Sequence, residues 1–284
     1  MNPSLSAPPT HASSDVPFFT MDQVTAGYGH GNVLNNLSLT LEKGTLTALL
    51  GANGSGKTTL LKTICGYVPH KGACRLEGRM LEQMNARSLA RRISYIPQRS
   101  GVSIPLPVLD VVLMGFHSVL GLLERPSRFQ RETALNALAA AGLAGMESQD
   151  YLTLSEGQKQ LCILARTLVE DTQLLLLDEP DSALDFSHRF QILRTLRTLT
   201  TDQAKAGLLC LHDPVLAFEF CDQILLMKDG RCTASLHPAQ DSTDTMQRAF
   251  TEVFGPVYLT RLKDPHGRQR LAMLSDLCPD TDVR

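Results

Sequence analysis

The chain has 284 residues, 43% of them hydrophobic and 20% charged, with a net charge of −2 at pH 7. That length can bury one large core or two small ones, while the near-neutral balance, the absence of Trp and the 5% aromatic content argue against a nucleic-acid partner. Seven cysteines, odd in number and without a C-x-x-C spacing, argue against a disulfide framework or zinc site, and no apolar run reaches the roughly 18 to 20 residues that span a bilayer.

The first 17 residues, rich in Ser, Pro, Ala and Thr up to Val16, lack the basic start and apolar stretch of a signal peptide and read as a disordered tail. From Phe18 to about Thr47 short strands are expected, Phe18–Met21 and Leu37–Leu41 among them, punctuated by Gly27, Gly29, Gly31 and Gly44. Leu46 to Leu50 reads as an apolar strand entering a Gly-rich loop, with a helix from Lys57 to Cys65 behind it. Ile93–Ile96 is a further strand, closed by Pro97-Gln98. A helical insert is expected over about 98–159, where Ser127 is placed as an N-cap, Gln130 follows three residues on, and Ala134, Leu135, Leu138 and Ala139 keep helical spacing.

A helix over Glu156–Val169 then leads to Leu174–Leu177, a continuously apolar run of the kind found when both faces of a parallel sheet are covered. Leu208–Leu211 and Ile224–Met227 read as two more strands, with Asp229-Gly230 as a turn. Strands alternating with helices predict an α/β fold around a parallel sheet, in a domain over 18–235. The extension 236–284 reads as a terminal helix and hairpin.

Gly51-Ala52-Asn53-Gly54-Ser55-Gly56-Lys57-Thr58 fits G-x-x-x-x-G-K-[ST], in the strand, loop, helix context that this motif requires. Glycines let the loop wrap so that successive N–H groups face phosphate oxygens, reinforced by the positive end of the following helix. Lys57 is expected to reach the β- and γ-phosphates of ATP, and the Thr58 hydroxyl to hold Mg²⁺, with Thr59 beside it in the nucleotide-binding set. Leu174–Glu179 supplies the second half of such a site: Asp178 at the strand tip is suited to the Mg²⁺ shell, and Glu179 to polarising an attacking water.

Between these motifs stands Leu154-Ser155-Glu156-Gly157-Gln158, and with it the chain from about Phe18 to Gly230 resembles the ATP-binding subunits of ABC transporters. The resemblance implies a P-loop NTPase fold: a RecA-like parallel core, an N-terminal antiparallel β subdomain and an inserted α-helical subdomain. It implies that Tyr28 stacks on adenine and that Gln98 touches Mg²⁺ and the attacking water. Ser155, Gly157 and Gln158 fall in the signature, which contacts the γ-phosphate held by a second copy. Ser182-Ala183-Leu184-Asp185 falls in the loop across that dimer interface, and His212 is the switch histidine at the γ-phosphate. The sequence departs from the family pattern at Glu156, where Gly is typical, and at Asp181, where Thr is common. A carboxylate there would repel phosphate, so Glu156 is expected to face outward.

Pro107–Gly115, Gln160–Arg166, Ala183–His188 and His212–Ala217 look like the importer group serving ferric siderophores, haem and cobalamin; Phe116 departs from the Arg often found in that group. The implied machine is a homodimer on the cytoplasmic face of the membrane, bound to two integral membrane permease subunits and served indirectly by a substrate-binding protein. Zinc and manganese importers share parts of the helical-insert pattern, including Arg125–Arg128, and some relatives carry molybdate or tungstate. A soluble ABC ATPase is the alternative of a different class.

Overall fold

The computed structural model describes residues 17–29, 31–98, 101–120, 124–180 and 184–275. Two long antiparallel strands come first, β1 (Phe19–Tyr28) and β2 (Gly31–Leu41). The sequence suggested short strands broken at glycines, but Gly27 lies within the ladder, where a Cβ would sit 2.0 Å from the Gly31 carbonyl oxygen. There glycine permits close backbone approach and does not end the strand. β3 (Leu46–Gly51), buried along its whole length, runs into the Gly-rich loop and α1 (Lys57–Ile64). β4 (His70–Leu76) and the short β5 (Arg79–Met80) complete a four-stranded antiparallel sheet in the order β2-β1-β4-β5.

α2 (Ala86–Ala90) is capped by the Asn85 side chain, which accepts the Ser88 N–H, and leads into β6 (Ile93–Ile96). The helical stretch then contains α3 (Val108–Leu113), a 3-10 turn over Met114–Ser118, α4 (Arg128–Ala140) and α5 (Glu156–Glu170). α4 and α5 start alike. In each a serine, Ser127 or Ser155, accepts the N–H three residues on, and the glutamine there, Gln130 or Gln158, returns its side-chain oxygen to the serine N–H. Such a reciprocal cap satisfies two of the donors that every helix start leaves unpaired. Phe116 packs into the core beside these helices, and Gly115 is held so close to α5 that a Cβ would meet the Arg166 carbonyl oxygen at 2.5 Å.

β7 (Leu174–Asp178), α6 (Phe186–Asp202), β8 (Ala206–Cys210), α7 (Pro214–Phe220), β9 (Gln223–Lys228) and β10 (Arg231–Leu236) finish the larger sheet. α8 (Thr243–Phe254) and the hairpin β11 (Val257–Lys263) and β12 (Gln269–Ser275) follow, which agrees with the helix and hairpin expected of the extension.

The larger sheet has the order β10-β9-β3-β8-β7-β6, parallel except for the edge strand β10. Its apolar runs are explained by the period of two along a strand. Leu46, Ala48, Leu50, Leu175, Leu177 and Leu209 enter the core shared with the helical stretch, whereas Leu49, Leu174, Leu176 and Leu208 enter the core under the antiparallel sheet. Neither face can be polar. The parallel strands also direct the ends of β3, β6, β7 and β8 to one edge, which is where open α/β sheets bind ligands.

Candidate active site

The loop after β3 sits on that edge. Gly54 and Gly56 take φ values of 81° and 105°, a left-handed conformation that glycine adopts without strain. Val33 and Leu34 of β2 pack against Gly56, and the Ser55 carbonyl accepts the Gly230 N–H at 3.1 Å, so the Asp229-Gly230 turn braces the loop. Lys57 is buried, and its Nζ donates to the Gly51 and Ala52 carbonyls at 2.7 and 3.3 Å. Thr58 is exposed at the start of α1, and Thr59 is buried behind it. The Ser55 hydroxyl is buried with no hydrogen-bond partner among the described residues. A buried hydroxyl needs a partner, and a phosphate oxygen would supply one. Tyr28 is 53% exposed at the end of β1, on the hairpin whose second strand packs against the loop.

Two carboxylates stand at the end of β7, Asp178 as its last residue and Glu179 just after it. Asp178 is 4% exposed, and its donors are the Tyr95 hydroxyl, at 3.4 Å from Oδ2, and the Cys210 thiol. Burial pushes the Cys210 thiol well above its ordinary range and the adjoining Asp178 carboxylate adds to this, so the sulfur stays protonated. No cation stands within ion-pair distance of Asp178 among the described residues. A buried carboxylate with only two weak neutral donors is an acceptor suited to a hard cation.

Glu179 has φ 52° and a side chain only 15% exposed, held from both sides. Its Oε1 is 2.5 Å from His212 Nε2, and its Oε2 accepts from Gln98 Nε2 at 2.5 Å. Three segments predicted separately, after β6, β7 and β8, therefore meet on one carboxylate. A base so oriented can take a proton from a water placed between it and a phosphate.

Ser155, Gly157 and Gln158 lie apart from this cluster, at the start of α5. They line a cavity of about 430 Å³ with Glu156, Leu184, Asp185 and His188. Ser155 Oγ accepts the Gln158 N–H at 3.2 Å, which leaves the serine proton free to donate, while Gln158 Oε1 is engaged by the Ser155 N–H at 2.9 Å. Glu156 is 77% exposed and pairs with Lys159 Nζ at 2.8 Å. Asp185 caps α6, accepting from the His188 N–H and the Ser187 hydroxyl, and these bonds hold its carboxyl below the ordinary range. Asp181, Ser182 and Ala183 lie outside the described residues.

Residues 34–182 match the family model of the ABC transporter. The chain belongs to the ABC transporter family. Among curated relatives of this ABC ATPase, the petrobactin import ATP-binding protein FpuD of Bacillus anthracis is 31% identical over 257 residues, spanning 87% of this chain and 93% of that protein. The hemin import ATP-binding protein HmuV of Jannaschia sp. (strain CCS1) is 35% identical over 243 residues, spanning 81% and 86%. Among solved structures, an inward-facing metal-chelate type ABC transporter superposes with a TM-score of 0.77 at 24% identity, covering 92% of this chain and 99% of that one. The cassette MJ0796, dimeric and bound to ADP and Pi, has a TM-score of 0.71 at 25% identity, covering 78% and 98%. The chain is an ATPase with the P-loop NTPase fold.

Sequence reasoning missed three neighbours of the site in this ABC ATPase: Tyr95 and Cys210 on Asp178, and Lys159 on Glu156. Tyr95 and Cys210 stand 83 and 32 positions from Asp178, so no spacing along the chain marks them. Lys159 falls three positions from Glu156 on one helix, and that interval was a legible signal.

Proposed function

We propose that this ABC ATPase drives the import of a metal chelate, a ferric siderophore, haem or cobalamin, from the cytoplasmic face of the membrane. Two copies pair head to tail on two permease subunits, with a substrate-binding protein delivering the cargo. The observation that carries the chemistry is the Glu179 carboxylate held between Gln98 and His212. The cargo class rests on the petrobactin and hemin relatives, which align over 93% and 86% of their own lengths. No helix of the described residues is long and apolar enough to cross a membrane.

In this reading Tyr28 stacks on adenine while Gly51, Asn53, Gly54, Ser55, Gly56, Lys57, Thr58 and Thr59 enclose the phosphates. Lys57 leaves the Gly51 and Ala52 carbonyls for the β- and γ-phosphates. Thr58, Gln98 and Asp178 are the residues that would hold Mg²⁺, which polarises the terminal phosphate when bound. Glu179 takes a proton from the attacking water, and His212 orients that carboxylate through its Nε2 contact. Ser155 donates its free hydroxyl proton, and Gly157 its N–H, to the γ-phosphate held by the second copy; Gln158 acts indirectly by fixing Ser155. Asp185 lies at the same interface.

The test is ATP hydrolysis by the chain co-purified with its permease and supplied with cargo-loaded binding protein. Stimulation by a ferric siderophore, haem or cobalamin supports the reading. Stimulation by zinc, manganese or molybdate instead overturns the cargo assignment, and indifference to any permease makes the chain a soluble ABC ATPase.

A further inference from the structure

β6 delivers two side chains to the catalytic edge. Gln98, just past its end, reaches Glu179, and Tyr95, within it, reaches Asp178. The Tyr95 ring forms part of a groove of about 780 Å³, also lined by Cys65, Tyr67, Met114, Arg166 and Glu170. Tyr67, 69% exposed, stands edge-on to it with ring centroids 6.3 Å apart at 69°. The ring is thus fixed from the groove side while its hydroxyl points inward to Asp178 Oδ2 at 3.4 Å.

We propose that Tyr95 is a positioning residue for the metal carboxylate: its hydroxyl fixes one oxygen of Asp178 and so presents the other to Mg²⁺. The alternative donor, the Cys210 thiol, is a weak one and cannot fix the carboxylate plane by itself. Hydrogen bonds to ligating carboxylates set ligand orientation, and their loss typically weakens metal affinity about 10- to 100-fold. The 3.4 Å separation points to the lower end of that range.

The proposal rests on Asp178 being the metal carboxylate, and two variants separate the two ideas. In Tyr95→Phe the ring and its contact with Tyr67 are retained and only the hydroxyl is lost. The Mg²⁺ concentration at half-maximal change in bound fluorescent ATP analogue should rise about tenfold, with analogue binding in EDTA and the melting temperature unchanged. A hydroxyl serving only local packing would move the melting temperature and leave the Mg²⁺ midpoint in place. Asp178→Asn should abolish the Mg²⁺ response altogether. If Asp178→Asn leaves that response intact, the reading of Asp178 fails, and the proposal with it. If it removes the response but Tyr95→Phe shifts the midpoint less than about twofold, against the tenfold expected, Tyr95 has no positioning role.

Discussion

Replacing Glu179 by Gln tests the centre of the site with little change of shape. The carboxylate offers an oxygen to each of two nitrogens, Gln98 Nε2 at 2.5 Å and His212 Nε2 at 2.5 Å. The amide offers only one oxygen. Because Gln98 Nε2 can only donate, the new oxygen must turn to Gln98, and the amide NH₂ then faces His212, which has to present an unprotonated Nε2. Geometry survives at the cost of one histidine tautomer, but the proton acceptor is lost. Removal of a general base slows reaction by about 10²- to 10⁴-fold, which is about 3 to 6 kcal/mol of barrier at about 1.4 kcal/mol per decade. Single-turnover hydrolysis of labelled ATP by Glu179→Gln should fall within that span. Equilibrium binding of ATP should be retained or strengthened, since a buried negative charge near the phosphates is gone, and ATP-dependent pairing of two copies should appear in sedimentation. Turnover within tenfold of the unaltered chain would refute the assignment of Glu179 as base.

Two other perturbations probe the signature and the extension. Lys159 Nζ lies 2.8 Å from Glu156 Oε1, so in a Glu179→Gln background Lys159→Met should weaken ATP-driven pairing about tenfold by unmasking a carboxylate beside the partner's phosphate. Adding Glu156→Gly should restore pairing, whereas an equal loss in the double variant would show that Lys159 acts otherwise. Asp264 closes the β11–β12 hairpin: burial pushes its carboxyl up, but bonds from the His266 and Arg268 N–H groups and the Arg268 and Arg270 guanidiniums prevail and hold it at about 2. A depressed carboxyl stabilises the fold above its ordinary range and ceases to do so as pH falls through the depressed value. The melting-temperature gap between the unaltered chain and Asp264→Asn should therefore be constant at neutral pH and close between about pH 4 and pH 2; a gap that persists at pH 2 would contradict the assignment.

Local signals in the chain fixed much of this protein. The Gly51–Thr58 spacing, the Ser127 cap answered three residues later by Gln130, and the leucine run of β7 depend on neighbours within a turn or along one strand, and each was legible. β4 was not legible: it opens on His70-Lys71-Gly72 and is held in the sheet by pairing with β1 and β5. α6 was missed because a 77% exposed Phe186 and scattered Thr and Arg blur a stripe in which Ile192, Leu193 and Leu196 are the buried part. What tertiary structure alone decided is the meeting of side chains far apart in sequence. Gln98 and Glu179 are 81 positions apart, and Tyr95 and Asp178 are 83 apart. They touch because β6 and β7 are parallel neighbours whose tips share an edge, and His212 joins them because β8 lies on the other side of β7. Strand order is set by which faces can be buried together across the whole sheet, and no window of the sequence contains that information.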